Sequence, residues 1–130
     1  MKELYQSIIS RFRDLADNDP ATAYEIQRDC LILLDYLSGE RLDAARKAGE
    51  AERELKQLKS TIALTAETVA AGDRKANADE NVKRRRAKRD EAEAFLTYLD
   101  QRIKLIEMIH YVAKEVWRRA EEAMKREIGG

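Results

Sequence analysis

The sequence predicts an all-α fold, and three observations carry that prediction. A single proline, Pro20, and five glycines in 130 residues supply too few turns for an all-β or α/β chain. Beyond Pro20, apolar residues recur at alternating steps of three and four, the spacing of packed helices. The composition is 44% hydrophobic but only 6% aromatic, which suits seams between helices better than a thick globular core. Length sets one domain, 1–130, with helices expected over about 2–16, 21–70 and 74–128.

The first element is a short amphipathic helix. Leu4, Tyr5, Ile8, Ile9, Phe12 and Leu15 lie at helical spacing and give it one broad apolar face. Asp17, Asn18 and Asp19 are turn formers, and Pro20 suits the first turn of a following helix because its missing N–H has no partner there anyway.

The second element is expected to be one long helix of about 75 Å. Its seam reads Cys30, Leu34, Leu37, Arg41, Ala44, Ala48, Ala51, Leu55, Leu58 and Ile62, continuing to Thr65 and Val69. Gly39 and Gly49 each weaken a helix by roughly 1 kcal/mol and mark places where it could break. The second corner is expected at Gly72, in a left-handed helix-ending conformation, with Asp73 starting the next turn.

The third element has its seam at Ala78, Val82, Arg85, Arg89, Ala92, Leu96, Leu99, Ile103, Ile106, His110, Ala113, Trp117, Ala120 and Met124. Folding back at Gly72 makes an antiparallel coiled-coil hairpin in which facing residue numbers sum to about 147. Leu37 then faces His110, Leu34 faces Ala113 and Cys30 faces Trp117. Near those residues Phe95, Ile109, Val112 and Val116 widen the apolar face beyond what two helices need. The short first helix packed on the hairpin supplies the third partner, giving a three-helix base. Toward the corner the stripe narrows and becomes alanine-rich, so that end is expected to be a protruding stalk.

The charges balance at 25 basic and 25 acidic side chains, but not locally. Residues 74–89 hold Arg74, Lys75, Lys83, Arg84, Arg85, Arg86, Lys88 and Arg89 against Asp79 and Glu80 only. Successive helical residues diverge by about 100°, so Lys83 to Arg86 cannot share a face and at least two must project outward. Such a surface takes up phosphates with salt-dependent affinity, which makes these eight residues the candidate nucleic-acid site. The alternatives are a solvated face paired with Asp90, Glu91 and Glu93, or an import signal of basic composition. No aromatic residue lies between Tyr36 and Phe95, so contact with a strand would run through its backbone rather than by base stacking.

Other candidates are weaker. Glu107 and His110 have the Glu-x-x-His spacing of di-metal bundles, yet His110 is the single histidine, and a packed seam histidine explains it; no metal and no cofactor are expected. Cys30 sits on an apolar face and reads as a small core side chain. Phe95, Val116 and Trp117 are expected to join subunits of a homo-oligomer. Gly129-Gly130 resembles the terminus of ubiquitin-like proteins, but those are β-rich, and a frayed helix end is simpler. With no phosphate-binding glycine loop, nucleophile elbow or paired-carboxylate cleft, catalysis is not expected. The N-terminus carries charges within its apolar stretch, which does not read as a secretory signal, and no apolar run is long enough to cross a bilayer. A lone cysteine fits a reducing, cytoplasmic compartment.

Several segments together resemble one family. Leu33-Leu34-Asp35-Tyr36-Leu37, Thr61-Ile62-Ala63-Leu64, Gly72-Asp73, Ala78-Asp79 with Val82, and Tyr98-Leu99-Asp100 are similar to the layout of the UvsY-type recombination mediators of bacteriophages. The resemblance implies a small, helical, oligomeric protein that binds single-stranded DNA and helps load a recombinase onto strands covered by single-strand-binding protein. It implies the cytoplasm of a bacterial host as the place of action. That family has basic and aromatic residues in the helical segment entering the turn, where this chain has Thr65, Glu67 and Val69, so those contacts do not carry over. The basic run at Lys83 to Arg89 would have to bear them. The alternative expectation is a structural or adaptor hairpin that binds another helical protein and no nucleic acid.

Overall fold

A computed structural model describes residues 1–129; Gly130, the second glycine of the terminal pair, lies outside them. Among the described residues the fold is all-α, with no strand and four helices: α1 (Lys2–Arg13), α2 (Pro20–Ala63), α3 (Val69–Ala78) and α4 (Glu80–Gly129). The chain packs as two compact units. Unit 1 comprises Met1–Gly39 and Asp100–Gly130, and unit 2 comprises Glu40–Leu99.

Each helix after the first starts where its sequence provides a cap. Pro20 opens α2, and Asp19 Oδ1 accepts the Thr22 N–H at 3.1 Å. The Thr68 hydroxyl accepts the Ala71 N–H at 3.0 Å to open α3, and Asp79 Oδ1 accepts the N–H groups of Asn81 and Val82 at 2.8 and 3.2 Å to open α4. Gly39 and Gly49 lie inside α2 without breaking it.

The second corner differs from expectation. The second helix stops at Ala63 rather than residue 70, and α4 starts at Glu80 rather than residue 74. The cause is local. The hydroxyls of Thr61 and Thr65 donate back to the carbonyls of Gln57 and Ile62, and the Thr65 and Ala66 N–H groups bond the carbonyls of Ile62 and Ala63, tightening the last turn. Thr68 then favours a cap over a helix interior. Gly72 is therefore not the corner: it is buried inside α3 with no positive φ. Its smallness serves packing, since a Cβ there would stand 3.2 Å from the Ala63 Cβ and carbonyl oxygen. Asp73 likewise lies within α3 and starts nothing.

In unit 1, three helical segments surround a core of Ile8, Ala23, Ile26, Cys30, Leu33, Leu37, Ile106, Ile109, Ala113 and Val116. The first helix is tied to both neighbours: Arg11 Nη2 meets Asp29 Oδ2 at 2.6 Å, and the Arg102 guanidinium lies 3.8 Å from the centre of the Tyr5 ring. Serving two partners turns the buried line of α4 to Ile106, Ile109, Ala113 and Val116. It thereby displaces His110 to half-burial and Trp117 to the surface, against the expected seam. On α2, Leu33 is buried in place of Leu34, and Arg41 is at the surface. The buried line then passes Leu37, half-buried Glu40, Ala44 and Ala48, so an eleven-residue step interrupts the heptads.

Unit 2 has a thinner core, formed by Ala44, Ala48, Ala51, Leu55, Gly72, Ala76, Val82 and Leu99. Its two long helical segments run antiparallel: Glu52 of α2 meets Arg89 of α4, and Glu54 meets Arg85 and Lys88. The expected sum of about 147 would place Leu58 opposite Arg89 and Glu54 opposite Glu93. The observed register is slipped from this, across a connection in which α2 ends at Ala63, α3 occupies ten residues and α4 starts at Glu80. The slip replaces a like-charge pairing by an attractive one.

Candidate nucleic-acid interface

All eight basic residues of the candidate site belong to unit 2, on α3 and the first turns of α4. They share a unit but not a single condition. Arg74 Nε donates to the Ala70 carbonyl at 3.4 Å, and Lys75 Nζ donates to Thr65 Oγ1 at 2.7 Å. Lys83 Nζ lies 3.3 Å from Glu80 Oε1, a contact within one helical turn. Arg86 Nη2 donates to Asn77 Oδ1 at 2.9 Å. Arg84 is exposed and has no hydrogen-bond or ion-pair partner among the described residues.

The remaining three bases reach across to α2. Arg85 Nη1 and Lys88 Nζ share Glu54 Oε2 at 2.9 and 3.5 Å. Arg89 divides its guanidinium between Glu52 Oε2 at 3.4 Å and Asp90 Oδ1 at 2.9 Å. Hydrogen bonding to Asp90, the larger influence, and the Glu52 charge both hold Arg89 more firmly protonated than an ordinary arginine. It is half-buried, whereas Lys83, Arg84, Arg85 and Lys88 are exposed.

Glu52 and Glu54 are the residues that reading the sequence missed. They are distant in sequence from residues 74–89 and adjacent to them only through the register of α2 against α4. The signal available was charge complementarity: of the possible antiparallel registers, one sets Glu52 and Glu54 against arginines and another sets Glu54 against Glu93.

The other candidates are dispersed. Val116 is only 5% exposed and belongs to the core of unit 1, so it presents no surface to another subunit. Trp117 is exposed at the surface of unit 1, and Phe95 is exposed in unit 2, with its ring stacked on Tyr98 at a centroid distance of 6.2 Å. Between α2 and α4 of unit 2, Phe95, Ala51 and Ala92 line an open groove of about 430 Å³ rimmed by Lys47, Lys88, Glu50, Glu54 and Glu91. Cys30 is buried, and burial first, then the Asp29 charge, push its thiol from 9.0 up to about 11 against the opposing pull of Arg11. Glu107 is exposed and His110 half-buried, and no group of three or more His, Cys, Asp or Glu side chains among the described residues is placed to hold a metal ion. No helix among the described residues is long and apolar enough to cross a membrane.

No protein-family model, curated protein or solved structure matches the chain.

Proposed function

We propose that this chain is a non-enzymatic, self-associating helical protein of the cytoplasm that holds the sugar–phosphate backbone of single-stranded nucleic acid on the basic ridge of unit 2. On this reading it serves as a recombination mediator of the phage type, loading a recombinase onto strands covered by single-strand-binding protein. The observation that carries the proposal is the local excess of base on this ridge: eight basic side chains in residues 74–89, not all on one helix face, with Arg84 unpartnered among the described residues and Lys83, Arg85 and Lys88 engaged only in exposed contacts. Exposed ion pairs contribute little net stability because water screens them. A nucleic-acid strand, with a phosphate at each nucleotide and counterions to release, can therefore displace Glu54 and Glu80.

Replacing Lys83, Arg84, Arg86 and Lys88 together with alanine tests the proposal. These side chains carry none of the buried apolar core, so the variant should keep its helicity by circular dichroism. We expect weaker binding to an oligothymidine strand and a shallower dependence on salt, by roughly 0.7 in log–log slope for each phosphate that the variant leaves unneutralised. Unchanged affinity and unchanged slope would remove the ridge as the binding surface.

A second reading has its own observation. Arg85, Lys88 and Arg89 are partnered by Glu52 and Glu54 of the same chain, which suits a ridge that knits α4 to α2. On that reading the chain is a structural adaptor, binding another helical protein without nucleic acid. The same quadruple variant separates the two readings, since an adaptor shows no oligothymidine binding to lose.

A further inference from the structure

Within unit 1, α2 is apolar on its core side and carries a second set of large apolar side chains, among charged ones, on the opposite side. Ala23, Ile26, Cys30, Leu33 and Leu37 face the core and are buried. At about 100° per residue, Tyr24, Arg28, Leu31, Ile32, Asp35 and Gly39 fall in one sector on the far side of the same helix. Tyr24 is 58%, Leu31 57% and Ile32 47% exposed there. A helix that covers one core needs one apolar face, so the second is surplus to the fold of unit 1.

We propose that this second face pairs with the same face of a second copy of the chain, the two α2 helices running antiparallel about a two-fold axis between Leu31 and Ile32. Self-complementarity selects that occupant. The two-fold axis sets Leu31 against the Ile32 side chain of the other copy, Arg28 against Asp35, and Tyr24 against Gly39, and every contact occurs twice. The charges match. Asp35 makes no hydrogen bond or ion pair among the described residues, and Arg28 reaches only its chain neighbour Asp29, at 3.4 Å through Nε. The sizes match as well. Glycine inside a helix costs stability, and among the described residues nothing requires it at position 39, where a Cβ would meet no atom within 4 Å. The Tyr24 ring of the second copy needs that space. A parallel pairing would instead oppose Arg28 to Arg28 and Asp35 to Asp35, so charge also fixes the direction.

Sedimentation equilibrium of the full chain, from micromolar to sub-millimolar concentration and without nucleic acid, tests this independently of the basic ridge. The wild type should form a reversible dimer through this face, and a weak one, since a single helix face is smaller than a standard interface. Arg28→Glu alone and Asp35→Arg alone should each weaken it by roughly tenfold, and the double variant should restore it, because the exchanged charges again meet their opposites. Both positions are at the surface of α2, so each variant should remain helical by circular dichroism. Mixing Arg28→Cys with Asp35→Cys copies under mild oxidation should give a 28-to-35 disulfide. A concentration-independent monomer, single reversals without effect, a double variant no better than the singles, or preferential 28-to-28 linkage would each overturn the proposal.

Discussion

Cys30 and Gly72 show how much a single side chain does in this chain. Cys30 is fully buried in unit 1, and its thiol is held up at about 11 chiefly by loss of water. Native protein at pH 8 should therefore resist a thiol-reactive probe, and labelling should follow unfolding rather than exposure. The linkage has a defined sign. A folded-state value above the unfolded one means that the protonated thiol stabilises the fold fully below pH 9.0, and that this contribution is lost as pH rises toward about 11. Cys30→Ala should flatten the alkaline limb of a melting-temperature profile. Asp19, Asp43 and Glu115 act in the opposite range, since bonds from Thr22, Arg46 and Arg118 respectively hold their carboxylates below the ordinary values. Their stabilisation is present above the unfolded carboxylate range and is lost as pH falls through the folded values. The two interior glycines of unit 2 should separate cleanly in chemical denaturation. Gly72→Leu drives atoms into Ala63 and should cost about 1–3 kcal/mol. Gly49→Ala meets only the flexible end of Arg53 and should gain roughly 0.5–1 kcal/mol. The sequence marked Gly72 as special but not the reason, because a glycine kept for close packing and one kept for a left-handed turn look alike until the neighbour is known.

At the scale of the helices, the start of α2 was legible, whereas the second corner, with the starts of α3 and α4, was not. Asp19 with Pro20 announces α2 because capping is local chemistry. The end of α2 at Ala63 depended on Thr61, Thr65 and Thr68 competing with helix propagation, a balance of small terms. The register of the hairpin also differs from the expected one, and the register decides that Glu52 and Glu54 meet the basic run. Their pairing has a consequence for binding. If the two glutamates hold Arg85, Lys88 and Arg89 away from phosphate, Glu52→Gln with Glu54→Gln should tighten oligothymidine binding and steepen its salt dependence, as measured by fluorescence anisotropy. Weaker binding would mean that the pairs position the ridge rather than compete with it. The core line of α2 carries a related lesson. A strict heptad reading predicted Leu34 and Arg41 inside, whereas α2 buries Leu33 and half-buries Glu40, because one eleven-residue step resets its phase.

For the molecule as a whole, the unevenness of the core matters most. Unit 1 buries Ile8, Ile26, Leu33, Ile106 and Ile109, while the alanine-rich core of unit 2 fully buries only Leu55, Leu99 and Val82 among its large side chains. Apolar burial contributes about 25 cal/mol per Å², so backbone amides of unit 2 should exchange with solvent sooner than those of unit 1. Leu55→Ala should cost about 2–5 kcal/mol and accelerate exchange in unit 2 first. The all-α class was legible because it rests on periodicity along the whole chain. The candidate site was legible only as a run of bases, because charge partners supplied by another helix are tertiary information. The central claim is that the basic ridge of unit 2 holds a nucleic-acid backbone. Its most direct test is the mass of the protein in solution, measured with and without single-stranded DNA. The account predicts a self-associated protein whose mass rises on adding DNA and falls back at high salt; a mass that does not change with DNA at any salt concentration would contradict it.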